Sequence, residues 1–194
     1  VKKLMKIVNP QYSILTGIND QHLQTFKTEE NIRQEKCRIL DVGDGTCVIN
    51  AELKNITENV LLKKKVIPET IYAGLDESAD IYAKNLSVNS YGSEFDVVVG
   101  DDIYRARTTI LGIHNVQNIM LAVAMAVKLG VEMPYILHAI ENLQPVAHRQ
   151  QLLKGNGINI IDDSFNSNPD GAKFALMTLA MFDTRKVVMT PGLV

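Results

Sequence analysis

Residues 155–169, Gly-Asn-Gly-Ile-Asn-Ile-Ile-Asp-Asp-Ser-Phe-Asn-Ser-Asn-Pro, constrain the fold more than any other stretch of the chain. A Gly-Asn-Gly turn precedes an apolar run, Ile158, Ile160 and Ile161, that reads as a buried strand, and the run ends in polar residues before a helix begins. A strand-loop-helix corner of this kind belongs to an open α/β sheet. Ligands gather outside the carboxyl ends of such strands, because helix N-termini and unpaired backbone N–H groups converge there. The adjacent carboxylates of Asp162 and Asp163 stand on that edge.

The segments before this corner alternate between strand and helix patterns. Leu4, Ile7 and Val8 share one helical face, which Pro10 closes by disfavouring the helical conformation at Asn9. Strands are predicted over Tyr12 to Ile18, Thr46 to Asn50 and Val66 to Ala73, the last interrupted by Pro68. Between them lie a charged helix from Thr28 to Leu40, with Glu29 and Glu30 in its first turn, and a helix from Ile56 to Lys64. From Ile81 to Thr109 the pattern becomes short β-branched and aromatic runs, broken at Tyr91-Gly92 and Gly100-Asp101-Asp102. This predicts an antiparallel meander and therefore a mixed sheet. A long helix follows, with Asn115 as a candidate N-cap, an apolar body over Ile119 to Leu129 and Gly130 as its stop. Pro134 suits the first turn of the next helix, which turns Ile136, Leu137, Ile140 and Leu143 inward. Gln144 to Arg149 has no period, and a domain boundary is placed there, dividing residues 1–148 from 149–194. Beyond the corner, a helix over Ala172 to Phe182 and a strand over Lys186 to Met189 give the first βαβ unit of a second domain.

Composition removes several classes of function. A net charge of −2 over 194 residues does not supply the clustered basic surface that phosphate-backbone binding needs, so no nucleic-acid partner is expected. The Lys63-Lys64-Lys65 run reads as a solvated helix end. Two cysteines, Cys37 and Cys47, match neither a redox pair nor a zinc ribbon, and a reducing, cytoplasmic setting fits. No apolar run approaches the roughly 20 residues needed to cross a bilayer, so no membrane insertion is expected. The chain opens on Val1 inside a helical pattern and closes just after Val187-Val188-Met189-Thr190-Pro191-Gly192, which reads as a segment of a longer protein.

Several residues could carry chemistry, each with a plainer alternative. His22, in a loop beside Asp20, is either a ligand or general base or a surface histidine. Lys36 lies mid-helix among Arg33, Glu35 and Arg38, where a solvent-facing charge is the ordinary reading. Asn115 and Asn118 are three apart and share a helix face; an amide offers a donor and an acceptor together, which suits a nucleobase edge. The alternative, Asn115 as a cap, leaves Asn118 without a role. Arg149, beside His148, could hold phosphate oxygens in a guanidinium fork or could be an exposed linker residue. Asp162 and Asp163 could bind a ribose hydroxyl or a metal-bound water, or cap the next helix. No G-x-x-x-x-G-K-[ST] phosphate loop occurs in the chain.

Together these stretches resemble the Mur ligases, ATP-dependent amide-bond-forming enzymes of peptidoglycan synthesis. The resemblance rests on Asn19-Asp20-Gln21-His22-Leu23-Gln24-Thr25-Phe26, Glu35-Lys36, Leu111-Gly112-Ile113-His114-Asn115-Val116-Gln117-Asn118, His148-Arg149 and Ile161 through Pro169, in the family's order. It implies an α/β fold: a mixed-sheet central ATPase domain, incomplete here because it lacks its phosphate loop, followed by the truncated start of a Rossmann-like C-terminal domain. It implies ATP and Mg2+ as cofactors. His22 matches the family's histidine at the second magnesium, and Lys36 matches its carbamylated lysine. Asn115 and Asn118 match the adenine-site asparagines, Arg149 the arginine near the ATP phosphates, and Asp163 the ribose-binding aspartate. The Asp-Asp-Ser-Phe-Asn-Ser-Asn-Pro form, with Thr190-Pro191-Gly192, looks most like the branch that joins D-alanyl-D-alanine to UDP-N-acetylmuramoyl tripeptide through an acyl phosphate. Folylpolyglutamate and cyanophycin synthetases of the same superfamily, or a non-catalytic nucleotide-binding module, remain open, and the segment alone is expected to be inactive.

Overall fold

The computed structural model describes residues 1–19, 26–165 and 169–190. Its centre is a six-stranded sheet in simple sequence order, β1 (Tyr12–Leu15), β2 (Thr46–Asn50), β3 (Glu69–Gly74), β4 (Ile81–Asn89), β5 (Gly92–Val99) and β6 (Asp102–Thr108). The first four strands run parallel and the last three form an antiparallel meander, so the mixed sheet expected from the sequence is present. β3 begins directly after Pro68, whose missing N–H cannot enter a ladder.

Burial on both faces explains the strand patterns. Every residue of β2 is buried: Val48 points to one apolar cluster, while Cys47 and Ile49 point to the other. The first cluster lies under α4 (Ile113–Lys128) and α5 (Met133–Glu141), which bring Val116, Met120, Val123, Ile136 and Ile140 onto Ala73, Phe95 and Val97 of the sheet. Pro134 stands in the first turn of α5, as its fixed φ favours. The second cluster is closed by α2 (Glu29–Cys37), capped by the Thr28 hydroxyl, by the 3-10 turn Arg38–Leu40 that continues it, and by α3 (Lys54–Leu61). α1 (Lys2–Val8) precedes β1 and ends at Asn9 in the left-handed conformation; Leu4, Ile7 and Val8 on its apolar face are exposed. Cys37 and Cys47 are free thiols, and burial raises both above the ordinary cysteine value.

Two expectations about the region after residue 148 need correction. The isoleucine run forms β8 (Ile158–Asp162), but its partner is β7 (Gln151–Gly155) in a separate two-stranded antiparallel sheet, and the strand is not buried. Ile158 and Ile160 are 67% and 55% exposed, because a lone hairpin has no second layer on that face. Asn156 and Gly157 both take positive φ at the turn, the conformation that an Asn-Gly hairpin favours. Residues 186–189 form no strand, so the elements here are a hairpin followed by α6 (Pro169–Ala180) rather than a βαβ unit.

Candidate functional site

At the carboxyl ends of the parallel strands, the last residue of β2 organises the backbone. Asn50 is buried. Its Nδ2 donates to the Thr16 carbonyl just beyond β1 at 2.9 Å, and its Oδ1 accepts from the Glu52 N–H at 3.0 Å and from Gln117 Nε2 of α4 at 2.7 Å. This amide fixes the N-terminal part of α4 against the strand ends. Gly112 occupies the N-cap position of α4 with φ 94°, and no side chain caps the helix. Asn115 is therefore not the cap; it sits inside the first turn, and its Nδ2 donates back to the Leu111 carbonyl at 2.7 Å. Asn118, one turn on, is exposed.

A second set of contacts joins α4 to residues 148–165 and α6. The segment 148–150 runs beside 162–165: Gln150 N–H donates to Asp163 Oδ1 at 3.2 Å, and Phe165 N–H donates to the His148 carbonyl at 3.2 Å. His148 Nδ1 lies 2.8 Å from Asp162 Oδ2, and the Asp162 carboxyl is held below its ordinary range, first by the Ser164 side chain and then by His148. The Arg149 guanidinium carbon sits 4.2 Å from the centre of the Phe165 ring. Gln150, buried in a positive-φ conformation, accepts from the Thr178 hydroxyl of α6 at 2.8 Å. His114 of α4 packs its ring 5.2 Å from that of Phe174, leaving Nδ1 buried without a hydrogen-bond partner. Burial holds His114 below the ordinary histidine value, outweighing the Asp163 carboxylate that raises it. A side chain at Gly112 is strained by its φ of 94°, and a Cβ there would also meet the His114 ring at 2.7 Å and Gln150 Oε1 at 2.8 Å.

Asn115, Arg149 and Asp163 thus belong to two contact sets that share the start of α4. Both aspartates are engaged, Asp163 by the Gln150 backbone and Asp162 by His148 and Ser164. Lys36 stands exposed on α2, outside these contacts. His22 lies outside the described residues, as do Asn166, Ser167 and Asn168. Among the described residues no group of three or more His, Cys, Asp or Glu side chains gathers where it could hold a metal ion, and no helix is long and apolar enough to cross a membrane. Sequence reasoning missed Asn50, Gln117, Gln150 and Thr178. The available signal was a polar residue inside an otherwise apolar run, at Asn50 after Cys47-Val48-Ile49 and at Gln117 between Val116 and Ile119.

The Mur ligase middle domain matches residues 2–126, well over half of the chain. The chain belongs to the Mur ligase family. It is 29% identical over 188 residues to the UDP-N-acetylmuramate--L-alanine ligase of Dictyoglomus turgidum, covering 94% of this chain and 39% of that protein. It is 26% identical over 185 residues to the UDP-N-acetylmuramoyl-tripeptide--D-alanyl-D-alanine ligase of Mycobacterium bovis, covering 93% and 36%. The chain therefore spans under half the length of the curated relatives it matches. Among solved structures, MurF ligase from Thermotoga maritima in complex with ADP matches with a TM-score of 0.79 at 19% identity, over 92% of this chain and 41% of that one. Folylpolyglutamate synthase from the same organism matches with a TM-score of 0.68 at 22% identity, over 90% and 40%. At these identities the structural matches speak for the fold, and they agree with the mixed α/β sheet of this Mur ligase chain.

Proposed function

We propose that this chain is the ATP-handling part of an ATP-dependent Mur ligase acting in the cytoplasm, and that the full protein joins D-alanyl-D-alanine to UDP-N-acetylmuramoyl tripeptide. The observation that carries the reading is the approach of the start of α4, which bears Asn115 and Asn118, to Gln150 at Gly112 and to Phe174 of α6 at His114, with Gln150 in turn bonded to Asp163 and next to Arg149. We further propose residues 1–148 as the central domain and 149–194 as the beginning of the C-terminal one.

In this reading a terminal carboxylate of the UDP-linked peptide attacks the γ-phosphorus of ATP, the bond to the β-phosphate oxygen breaks, and ADP departs. The amine of the acceptor then attacks the acyl carbon, and inorganic phosphate leaves as the amide forms. Asn118 presents a donor and an acceptor to the adenine edge, with Asn115 beneath it. Asp163 accepts from a ribose hydroxyl, and its bond from the Gln150 backbone fixes its orientation. Arg149, its guanidinium held over Phe165, offers a planar fork to phosphate oxygens. Magnesium, when bound, offsets the negative charge of the transferring group. His22 and Lys36 are the residues of this chain proposed to hold it. An ammonium has no lone pair for a cation, so Lys36 fits only as its carbamate, whose carboxylate is the hard oxygen ligand magnesium prefers. The exposure of Lys36 leaves the amine open to that modification.

The relative that adds L-alanine, 29% identical, supports a second reading in which the acceptor is L-alanine and the carboxylate belongs to UDP-N-acetylmuramate. The folylpolyglutamate synthase fold match supports a third. ADP release by the full-length protein separates them, with each UDP substrate and acceptor supplied in turn and folate with glutamate as a further pair. Turnover with tripeptide and D-alanyl-D-alanine is expected. Turnover only with L-alanine moves the assignment to the second reading, and turnover only with folate and glutamate removes it from peptidoglycan synthesis. In the same assay Lys36→Ala is expected to lower turnover by at least about a hundredfold, with no recovery on adding bicarbonate and partial recovery with a short-chain acid. Undiminished activity removes Lys36 from the site.

A further inference from the structure

We infer that Gln150 is a positioning residue: it holds Arg149 and Asp163 in a fixed relation to the start of α4 and so sets how the site reads the sugar of a nucleotide. The inference rests on the ligase reading above and deepens it. Gln150 follows Arg149 directly, whose guanidinium carbon lies 4.2 Å from the centre of the Phe165 ring. Its N–H donates to Asp163 Oδ1 at 3.2 Å. Its Oε1 accepts from the Thr178 hydroxyl of α6 at 2.8 Å, and the same oxygen lies 2.8 Å from where a Gly112 Cβ would stand, so the side chain rests against the N-cap of α4. One residue thus joins the residues proposed for ribose and phosphate to the helix that bears those proposed for adenine.

Neither packing nor helix stability calls for a glutamine at this place. Gln150 is 4% exposed, and a buried carboxamide carries a desolvation penalty that an apolar side chain of similar volume does not. Thr178 has a helical acceptor of its own, the Phe174 carbonyl at 3.0 Å, so its hydroxyl can be satisfied without Gln150. The backbone is also held away from its ordinary conformations: φ is 63° at His148 and 46° at Gln150, on either side of Arg149, in the left-handed region that residues with side chains seldom adopt. Such a conformation persists only where the surroundings over-determine it, and for Gln150 the bonds to Asp163 and Thr178 and the contact at Gly112 do so. What they secure is the direction of a carboxylate. With Oδ1 engaged by the Gln150 N–H, Asp163 cannot turn freely, and its other oxygen keeps one direction in which to accept a hydroxyl. A site built to bond a hydroxyl rejects the analogue lacking it only while that acceptor stays aligned, so loosening Gln150 acts on the choice of sugar.

The test uses the full-length protein and measures binding of ADP, 2′-deoxy-ADP and 3′-deoxy-ADP by calorimetry, with folded fraction by circular dichroism at the same temperature. The wild-type protein is expected to bind at least one deoxy form about tenfold or more weakly than ADP. Gln150→Leu keeps the volume and removes the acceptor; its ADP affinity is expected to fall about threefold to tenfold, and its discrimination against that deoxy form to about threefold or less. Thr178→Val is expected to reproduce the lost discrimination, Thr178→Ser to keep it within about twofold of wild type, and Gln150→Leu with Thr178→Val to be no worse than Gln150→Leu alone. Valine keeps the shape of threonine while serine keeps only its hydroxyl, so retention in serine and loss in valine is a result that space-filling does not produce. The inference is overturned if Gln150→Leu discriminates as the wild type does, if Thr178→Ser and Thr178→Val behave alike, or if discrimination and folded fraction fall in parallel. Wild-type protein that binds all three nucleotides equally removes Asp163 from the ribose and overturns the inference while leaving the ligase reading in place. Absence of ADP binding in the wild-type protein overturns the ligase reading itself, and the role of Gln150 with it.

Discussion

The six-stranded sheet and the segment that follows residue 148 are held together by different means. In the sheet, apolar side chains from both faces are buried and the ladder satisfies the backbone, so each residue is supported by many weak contacts. Around residues 148–165 the chain turns through positive φ at His148 and Gln150, exposes Ile158 and Ile160, and relies on single polar pairs such as Gln150 with Asp163 and with Thr178. The difference teaches where adjustment is cheap. Removing one contact from the sheet leaves a cavity; removing one from the joint changes an orientation.

The largest expected effect tests the sheet side of that contrast. Phe95 is fully buried on the central meander, and Phe95→Ala should lower stability by about 3–5 kcal/mol in a denaturant titration. A loss under about 1 kcal/mol would show that the meander repacks freely and that the two regions do not differ as described. Gly112 lies where the regions meet. Gly112→Ala should cost about 1–3 kcal/mol, because its φ of 94° strains an L-residue and the new methyl meets His114 and Gln150. A neutral result would mean that the joint yields by more than the tight approach allows.

A smaller effect is expected from pH. The folded-state pKa of His114 lies below its unfolded value near 6.5, so the folded chain binds the proton less readily than the unfolded one. Its contribution to stability is then fully present above about pH 6.5 and is lost as pH falls from there toward the depressed folded value. Melting curves between about pH 5 and 7 should become flatter in His114→Gln, and an unchanged slope would place the titration elsewhere. The smallest effect is expected at the rim of the joint. The contact of His148 Nδ1 with Asp162 Oδ2 is exposed on the histidine side, and His148→Ala should change stability by less than about 1 kcal/mol. A larger loss would make this pair a structural lock rather than a surface contact.

The limits of sequence reasoning follow the same division. The meander between Ile81 and Thr109 could be read because alternation and turn dipeptides are local signals, and β2 because a continuous apolar run marks a strand buried on both faces. The isoleucine run of β8 is ambiguous for a related reason: three apolar residues describe a buried strand and an uncovered hairpin equally well, and only the Asn156-Gly157 turn tells them apart. The position of Asn115 near the helix start suggests a cap, but Gly112 takes that place with a φ of 94° that an L side chain rarely adopts. Lys36 attracts notice only through the family's motif, since nothing in its local charge pattern departs from an ordinary helix surface.

The sequence by itself determined the α/β character, the mixed sheet and the resemblance to the family, because these depend on periodicity and on short phrases read within a few residues. Only the tertiary structure decided which amides are joined. Asn50 and Gln117 stand 67 positions apart, and a polar residue in an apolar run shows that a partner is required without showing which one. The choice of partner is made when β2 and α4 pack, and the desolvation of both side chains then makes that single hydrogen bond necessary.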